Sequence, residues 1–188
     1  VIDAYRLRQV AGAIETAQRL ESAASHEMSQ RVINPASRNT PWMPFNLFDF
    51  AALLLEAVPL IPDKGRFLGV GAGPGSKELL ARDVFGLEVT GIEILNPLAA
   101  IALDAGVNVL TWDAEEFNGY GEFDCVWLNR PLRDAGAERF LEERIFREME
   151  PGAVLICANT ETRPHGIIIN DSWDDLRRGA WAKPYASS

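Results

Sequence analysis

Residues 67–76 read Phe-Leu-Gly-Val-Gly-Ala-Gly-Pro-Gly-Ser, with glycines on alternate positions behind a short apolar run. Glycine is entropically costly in ordered structure, so such density marks tight backbone geometry or a ligand lying against the main chain. About twenty residues further on, Val-Thr-Gly-Ile-Glu-Ile-Leu closes a second apolar run on Glu93, a carboxylate of the kind that accepts from ribose hydroxyls. Asp113 follows a third apolar run, and Asn129-Arg130-Pro131-Leu132 follows a fourth. These residue types suit the holding of a nucleoside-bearing ligand. His26, His165, Cys125 and Cys157 show no metal-ligand spacing, and no Ser-His-Asp or Cys-His constellation stands out.

The elements that must position these residues follow from the hydrophobic pattern. Residues 3–30 have helical spacing, with Leu7, Val10, Ile14 and Ala17 on one stripe. Residues 34–46 break it with three prolines, and 47–58 resume as a strongly apolar helix. From Arg66 the pattern predicts strands at 66–70, 87–93, 107–112, 123–129 and 153–159, separated by helices at 76–85, 97–105 and 135–150. Strands rich in Val, Ile and Leu alternating with helices predict an α/β fold with a doubly wound, mainly parallel sheet. The stretch after 153–159 is too short for a helical crossover, so strands at 166–170 and 179–183 are expected to pair antiparallel. On the 135–150 helix, Phe140, Leu141 and Ile145 are expected to turn inward, leaving the charged residues as a wet face.

In a doubly wound sheet ligands bind at the carboxyl ends of the strands, where the loop after the first strand lies. The dinucleotide fingerprint G-x-G-x-x-G fails in both registers, because the sixth position is Ser76 or Pro74. The tight spacing Gly71, Gly73, Gly75 instead resembles the first motif of the class I S-adenosylmethionine-dependent methyltransferases, and the resemblance extends over residues 64–158. It implies a Rossmann-like fold that binds S-adenosyl-L-methionine through Gly71, Gly73 and Gly75, through Glu93 and Ile94 at the second strand, and through Asp113 and Ala114 at the adenine. Asn129 and Arg130 fall where the family places its methyl acceptor, and Thr40-Pro41 is similar to a segment that covers the donor. Three departures stand out, one of them the shortened stretch after the fifth strand. Gly69 occupies the place of an acidic residue that helps hold the donor's methionine part, and Leu132 stands where amino-methylating members carry a stacking aromatic.

The expected organisation is an N-terminal helical extension or cap over residues 1–60 and an S-adenosylmethionine-binding domain over 61–188. The formal net charge of −9 disfavours stable nucleic-acid binding, which leaves a small-molecule or protein acceptor. Trp42, Met43 and Phe45 suit an acceptor pocket or the core, and His165 a loop position or a base. Cys125 and Cys157 lie in apolar runs, as expected of reduced thiols, and no apolar run approaches membrane-spanning length. Residues 1–30 do not read as a secretory signal, so a cytoplasmic protein is expected, with the N-terminal helix available for self-association. A methyltransferase-fold binding or assembly subunit, and a nicotinamide oxidoreductase, remain as alternatives.

Overall fold

The structure, a computed structural model, describes residues 4–31, 39–158, 167–170 and 179–183. Five strands, β1 (Arg66–Val70), β2 (Glu88–Glu93), β3 (Val109–Thr111), β4 (Cys125–Asn129) and β5 (Val154–Ala158), run parallel in the order β3-β2-β1-β4-β5. Beyond β5 the sheet continues with β7 (Gly179–Ala182) and then β6 (Ile167–Asn170), both pairings antiparallel. Strand order reverses between β1 and β4, which opens a crevice at their carboxyl ends. β5 is buried along its whole length, as a strand covered on both faces must be.

One face of the sheet carries α1 (Ala4–Ser29), α2 (Leu47–Ala57), α3 (Ser76–Asp83) and α4 (Asn96–Asp104), which share a core with Phe67, Val109, Cys125, Trp127 and Ile156. The other face packs Leu68, Val70, Val126, Leu128 and Leu155 against Leu141 and Ile145 of α5 (Ala135–Glu148). Asn46 caps α2 by accepting from Phe48 N at 2.9 Å and Asp49 N at 3.4 Å. Asp134 caps α5 by accepting from Ala137 N at 2.7 Å.

Two expectations about helix faces are corrected in part, since Ala17 of α1 and Leu141 and Ile145 of α5 are buried as expected. The buried stripe of α1 runs through Ala13, Ala17, Leu20 and Ala24, while Val10 and Ile14 are only partly covered and the Leu7 side chain lies outside the described residues. Ala13, Ala17 and Ala24 let α1 lie close to α3, with Leu20 buried among them and Ile14 packed against the same core. On α5, Phe140 is 63 % exposed, whereas Glu138 and Glu142 are buried beside Leu141 and Ile145. Positions 138, 141, 142 and 145 share one helical face and 140 falls off it. The buried carboxylate has a backbone partner there: Glu138 Oε2 accepts from Leu132 N at 2.8 Å.

The α2 helix is anchored by Phe50, whose ring meets Phe67 edge-on at 6.1 Å and Trp127 at 5.1 Å between centroids. Phe45 sits 5.2 Å from the same Trp127 ring, which makes it a core residue and leaves the cavity wall to its neighbours. Phe50→Ala should destabilise the fold by about 3–5 kcal/mol, read as a lower denaturation midpoint with an unchanged denaturant slope. A loss below about 1 kcal/mol, within the range of surface substitutions, would mean that α2 is not part of the cooperative unit.

Candidate functional site

The crevice at the carboxyl ends of β1, β2 and β4 is a cavity walled by Gly71, Glu93, Ile94, Asp113, Asn129 and Arg130, among others. The three motif glycines all adopt left-handed backbone, with φ of 69° at Gly71, 58° at Gly73 and 76° at Gly75, which glycine alone takes without penalty. The loop is moored to β2, because the N–H groups of Gly71 and Ala72 both donate to Ile92 O at 2.9 and 3.0 Å. Only Gly71 of the three borders the cavity directly. A Cβ on Gly73 would lie 2.6 Å from Trp42 Nε1, so the indole rests on the loop. A Cβ on Gly75 would meet Ala102 at 2.9 Å and Val107 at 3.0 Å, which makes that glycine a packing seam between α3 and α4.

Glu93 joins the loop to the second strand. Its Oε2 accepts from Gly73 N at 2.9 Å and its Oε1 from Leu95 N at 2.8 Å, and the side chain is buried. Burial raises its pKa, opposed by the N–H groups of Leu95, Gly73 and Ile94. Each oxygen keeps a further lone pair for a ligand hydroxyl. Across the cavity, Asp113 Oδ1 accepts from Glu115 N at 2.8 Å, so the turn-capping role and a cavity-facing role coexist in one carboxylate. Ala114 borders the cavity and its carbonyl accepts from Tyr120 Oη at 2.8 Å, which fixes that turn from behind.

Arg130, directly after β4, holds φ at 43°, a left-handed conformation that is uncommon outside glycine and clusters at functional sites. The same exit loop is stitched to the segment above it: Thr40 N donates to Pro131 O at 2.9 Å, and Asn39 forms an antiparallel bridge with Leu132. Trp42 and Met43 therefore stand over the cavity while their mooring residues bind the β4 exit. Of the rest of the 34–46 segment, residues 34–38 lie outside the described residues, as does His165. Among the described residues no group of His, Cys, Asp and Glu is arranged to hold a metal, and no helix is long and apolar enough to cross a membrane. Burial pushes the Cys125 and Cys157 thiols up, so neither presents a reactive thiolate.

Two residues at the foot of α3 escape sequence reasoning. Lys77 borders the cavity and pairs with Glu21 of α1 at 2.6 Å, and Glu21 also accepts from Ser76 Oγ. Glu78 is fully buried, with no hydrogen-bond partner for either carboxylate oxygen among the described residues. Desolvation pushes its pKa up to about 7, against its own backbone N–H and Lys77, with Glu21 and Glu93 adding to the rise. An acid in the first turn of a helix reads as ordinary dipole compensation. The signal available in the sequence was Gly69 standing in the place of an acid; its pairing with Gly91 comes only with the folded sheet.

A pH dependence follows. The unfolded chain ionises Glu78 near 4.5 and the folded chain near 7. Between those values the folded state retains a proton that the unfolded state has lost, so this group's contribution to stability falls as pH rises and levels off above about 7. The full difference corresponds to about 3 kcal/mol. Glu78→Gln should melt above wild type at about pH 8, with the gap closing near the ordinary carboxylate range. A gap independent of pH would show that Glu78 does not titrate in this window.

No family model matches the chain. It is 30% identical over 121 residues to trans-aconitate 2-methyltransferase of Delftia acidovorans (strain DSM 14801 / SPH-1), an alignment covering 60% of this chain and 44% of that protein. The chain thus spans less than half the length of the curated relative it matches. An RNA methyltransferase from Salinibacter ruber, solved in complex with S-adenosyl-L-homocysteine, superposes with a TM-score of 0.53 at 18% identity, covering 78% of this chain and 97% of its own. A putative sarcosine dimethylglycine methyltransferase from Galdieria sulphuraria gives a TM-score of 0.51 at 16% identity, covering 60% of this chain and 45% of its own. At such identities the likeness concerns the fold. In sequence over 121 residues and in the order of its parallel strands, the chain resembles the class I S-adenosylmethionine-dependent methyltransferases and carries their Rossmann-like fold.

Proposed function

We propose that this chain is an S-adenosylmethionine-dependent methyltransferase acting on a small-molecule or protein acceptor, with an acidic group on the acceptor met by Arg130. The observation that carries the reading is the Glu93 carboxylate, seated at the end of β2 and bonded to the glycine loop through Gly73 N. A ligand laid across Gly71 has Glu93 at hand for ribose hydroxyls, and Asp113 and Ala114 for a nucleobase. The donor supplies an activated methyl on a sulfonium. What remains for the protein is to orient the acceptor in line and keep water out, and a proton acceptor is required only for an acceptor protonated at working pH. Asn129 and Arg130 stand at the β4 exit to orient it, under Trp42 and Met43.

The acceptor class draws support from two directions. The curated relative's name specifies a small organic acid as what that enzyme methylates. Arg130 offers a fixed charge and a planar fork of donors suited to a carboxylate, and Leu132 gives no ring face for a flipped base. The same reading takes residues 1–60 as a cap, 61–188 as the donor-binding domain finished by antiparallel strands, a cytoplasmic setting, and α1 as a surface for self-association. The non-catalytic alternative is not favoured, because the curated relative is a methyltransferase.

Calorimetry should detect binding of S-adenosylmethionine and S-adenosylhomocysteine and none of NAD; tighter binding of NAD would overturn the reading. Glu93→Ala should weaken the donor at least tenfold, since each charge-assisted hydrogen bond is worth about 1.5–3 kcal/mol before water compensates. An unchanged Kd would make Glu93 a structural strut only. Arg130→Ala should leave donor Kd unchanged and lower kcat/KM for small acids by about tenfold or more, the scale of one charge-assisted contact. Efficient methylation of duplex DNA that is indifferent to Arg130 would refute the acceptor assignment.

A further inference from the structure

Glu78 is a buried acid that nothing so far explains. An unpaired carboxylate in an apolar surrounding is expensive, and groups of this kind either neutralise or serve a charge that arrives from outside. Its head lies over the two facing glycines Gly69 and Gly91: a Cβ built on Gly69 would overlap Glu78 Oε1, and one built on Gly91 would stand 3.6 Å from Glu78 Cδ. Gly91 directly precedes the wall residue Ile92 on β2, and Gly69 stands two residues before the wall residue Gly71 on β1. The acid therefore reaches from α3 into room that the missing side chains of β1 and β2 leave open, next to the strand residues that lead into the cavity wall.

The charged groups around it do not satisfy it. Lys77 on α3 is committed to Glu21 of α1, and Glu93 on β2 is itself an acid held by Gly73 and Leu95. Glu21 and Glu93 each oppose a charge on Glu78, with Lys77 the cation among the groups that act on it. A visiting cation with hydrogens to donate would complete the balance.

We infer that Glu78 is the counter-charge of the donor site, its carboxylate receiving the ammonium group of the donor's amino-acid part in place of a side chain on residue 69. The inference rests on the donor reading above and adds a residue to it. Of the donor's two cationic centres only the ammonium carries N–H groups, and two orphaned carboxylate oxygens call for N–H donors. Glu93 and Asp113 border the cavity where the nucleoside is assigned, and Glu78 lies against Gly69 and Gly91, on the strands that lead into that cavity. A pKa of about 7 keeps the group ionisable at the moment a cation arrives, without holding a full buried charge beforehand.

The test compares two ligands by titration calorimetry at about pH 8, above the pKa of Glu78. S-adenosylhomocysteine carries the ammonium, and 5′-methylthioadenosine lacks the whole amino-acid part. Glu78→Gln should weaken S-adenosylhomocysteine about tenfold or more, the scale of a charge-assisted contact, and leave 5′-methylthioadenosine unchanged. The double variant Gly69→Asp/Glu78→Ala, which returns an acid from β1 into the vacated room, should recover most of the loss. Equal losses for both ligands, no loss for either, or a folded double variant without recovery would each overturn the inference. Wild-type protein that binds neither ligand would overturn the donor reading itself. Wild type that binds 5′-methylthioadenosine with no gain from the amino-acid part would overturn the role of Glu78 alone.

Discussion

The hydrogen bond from Gly73 N to Glu93 Oε2 holds the two halves of the crevice together. The glycine loop ends β1 and the carboxylate ends β2, and each by itself is only a strand terminus. Joined, they set the backbone of the loop at a fixed distance from the second strand, helped by the Gly71 and Ala72 N–H groups on Ile92 O. The loop between β1 and α3 takes left-handed backbone at Gly71, Gly73 and Gly75, and Gly75 N donates back to Ala72 O at 3.1 Å. A side chain at Gly73 would strike Trp42, so the loop, the acid and the covering segment constrain one another.

The covering segment belongs to the same mechanical unit as the β4 exit. Thr40 and Asn39 bond to Pro131 and Leu132, and Leu132 N is held in turn by Glu138 of α5. A chain of hydrogen bonds, main-chain except for the Glu138 carboxylate at its end, thus runs from above the cavity, past Arg130, to the far face of the sheet. It supports the left-handed backbone at Arg130, a conformation that persists only where its surroundings over-determine it. The β4 exit is thus tied on both sides, to the covering segment and to α5.

The two faces of the sheet spend buried charge differently. On the α1–α4 face, Glu21 and Lys77 pair and leave Glu78 unsatisfied beside the cavity. On the α5 face, Glu138 supports a loop N–H. Both acids sit on helices whose exposed residues look equally charged in sequence. What separates them is the direction each helix turns when it docks.

Much of this protein was legible in its residues. The alternation of apolar strands with helices, the glycines, and the acids at strand ends are local signals, since each depends on backbone geometry or on neighbours within a few positions. They led to the parallel sheet, to Gly71, Glu93, Asp113 and Arg130 around one cavity, and to the helix order. The docked face of a helix is not local. Whether Phe140 or Glu138 turns inward, whether Ala13 or Val10 is fully buried, and whether Gly75 packs on Ala102 or a ligand all depend on partners far away in the chain. Gly69 was visible in sequence as a missing acid. That Glu78 fills its space was decided only when α3 folded down over β1 and β2, because the register that faces Gly69 with Gly91 exists only in the assembled sheet.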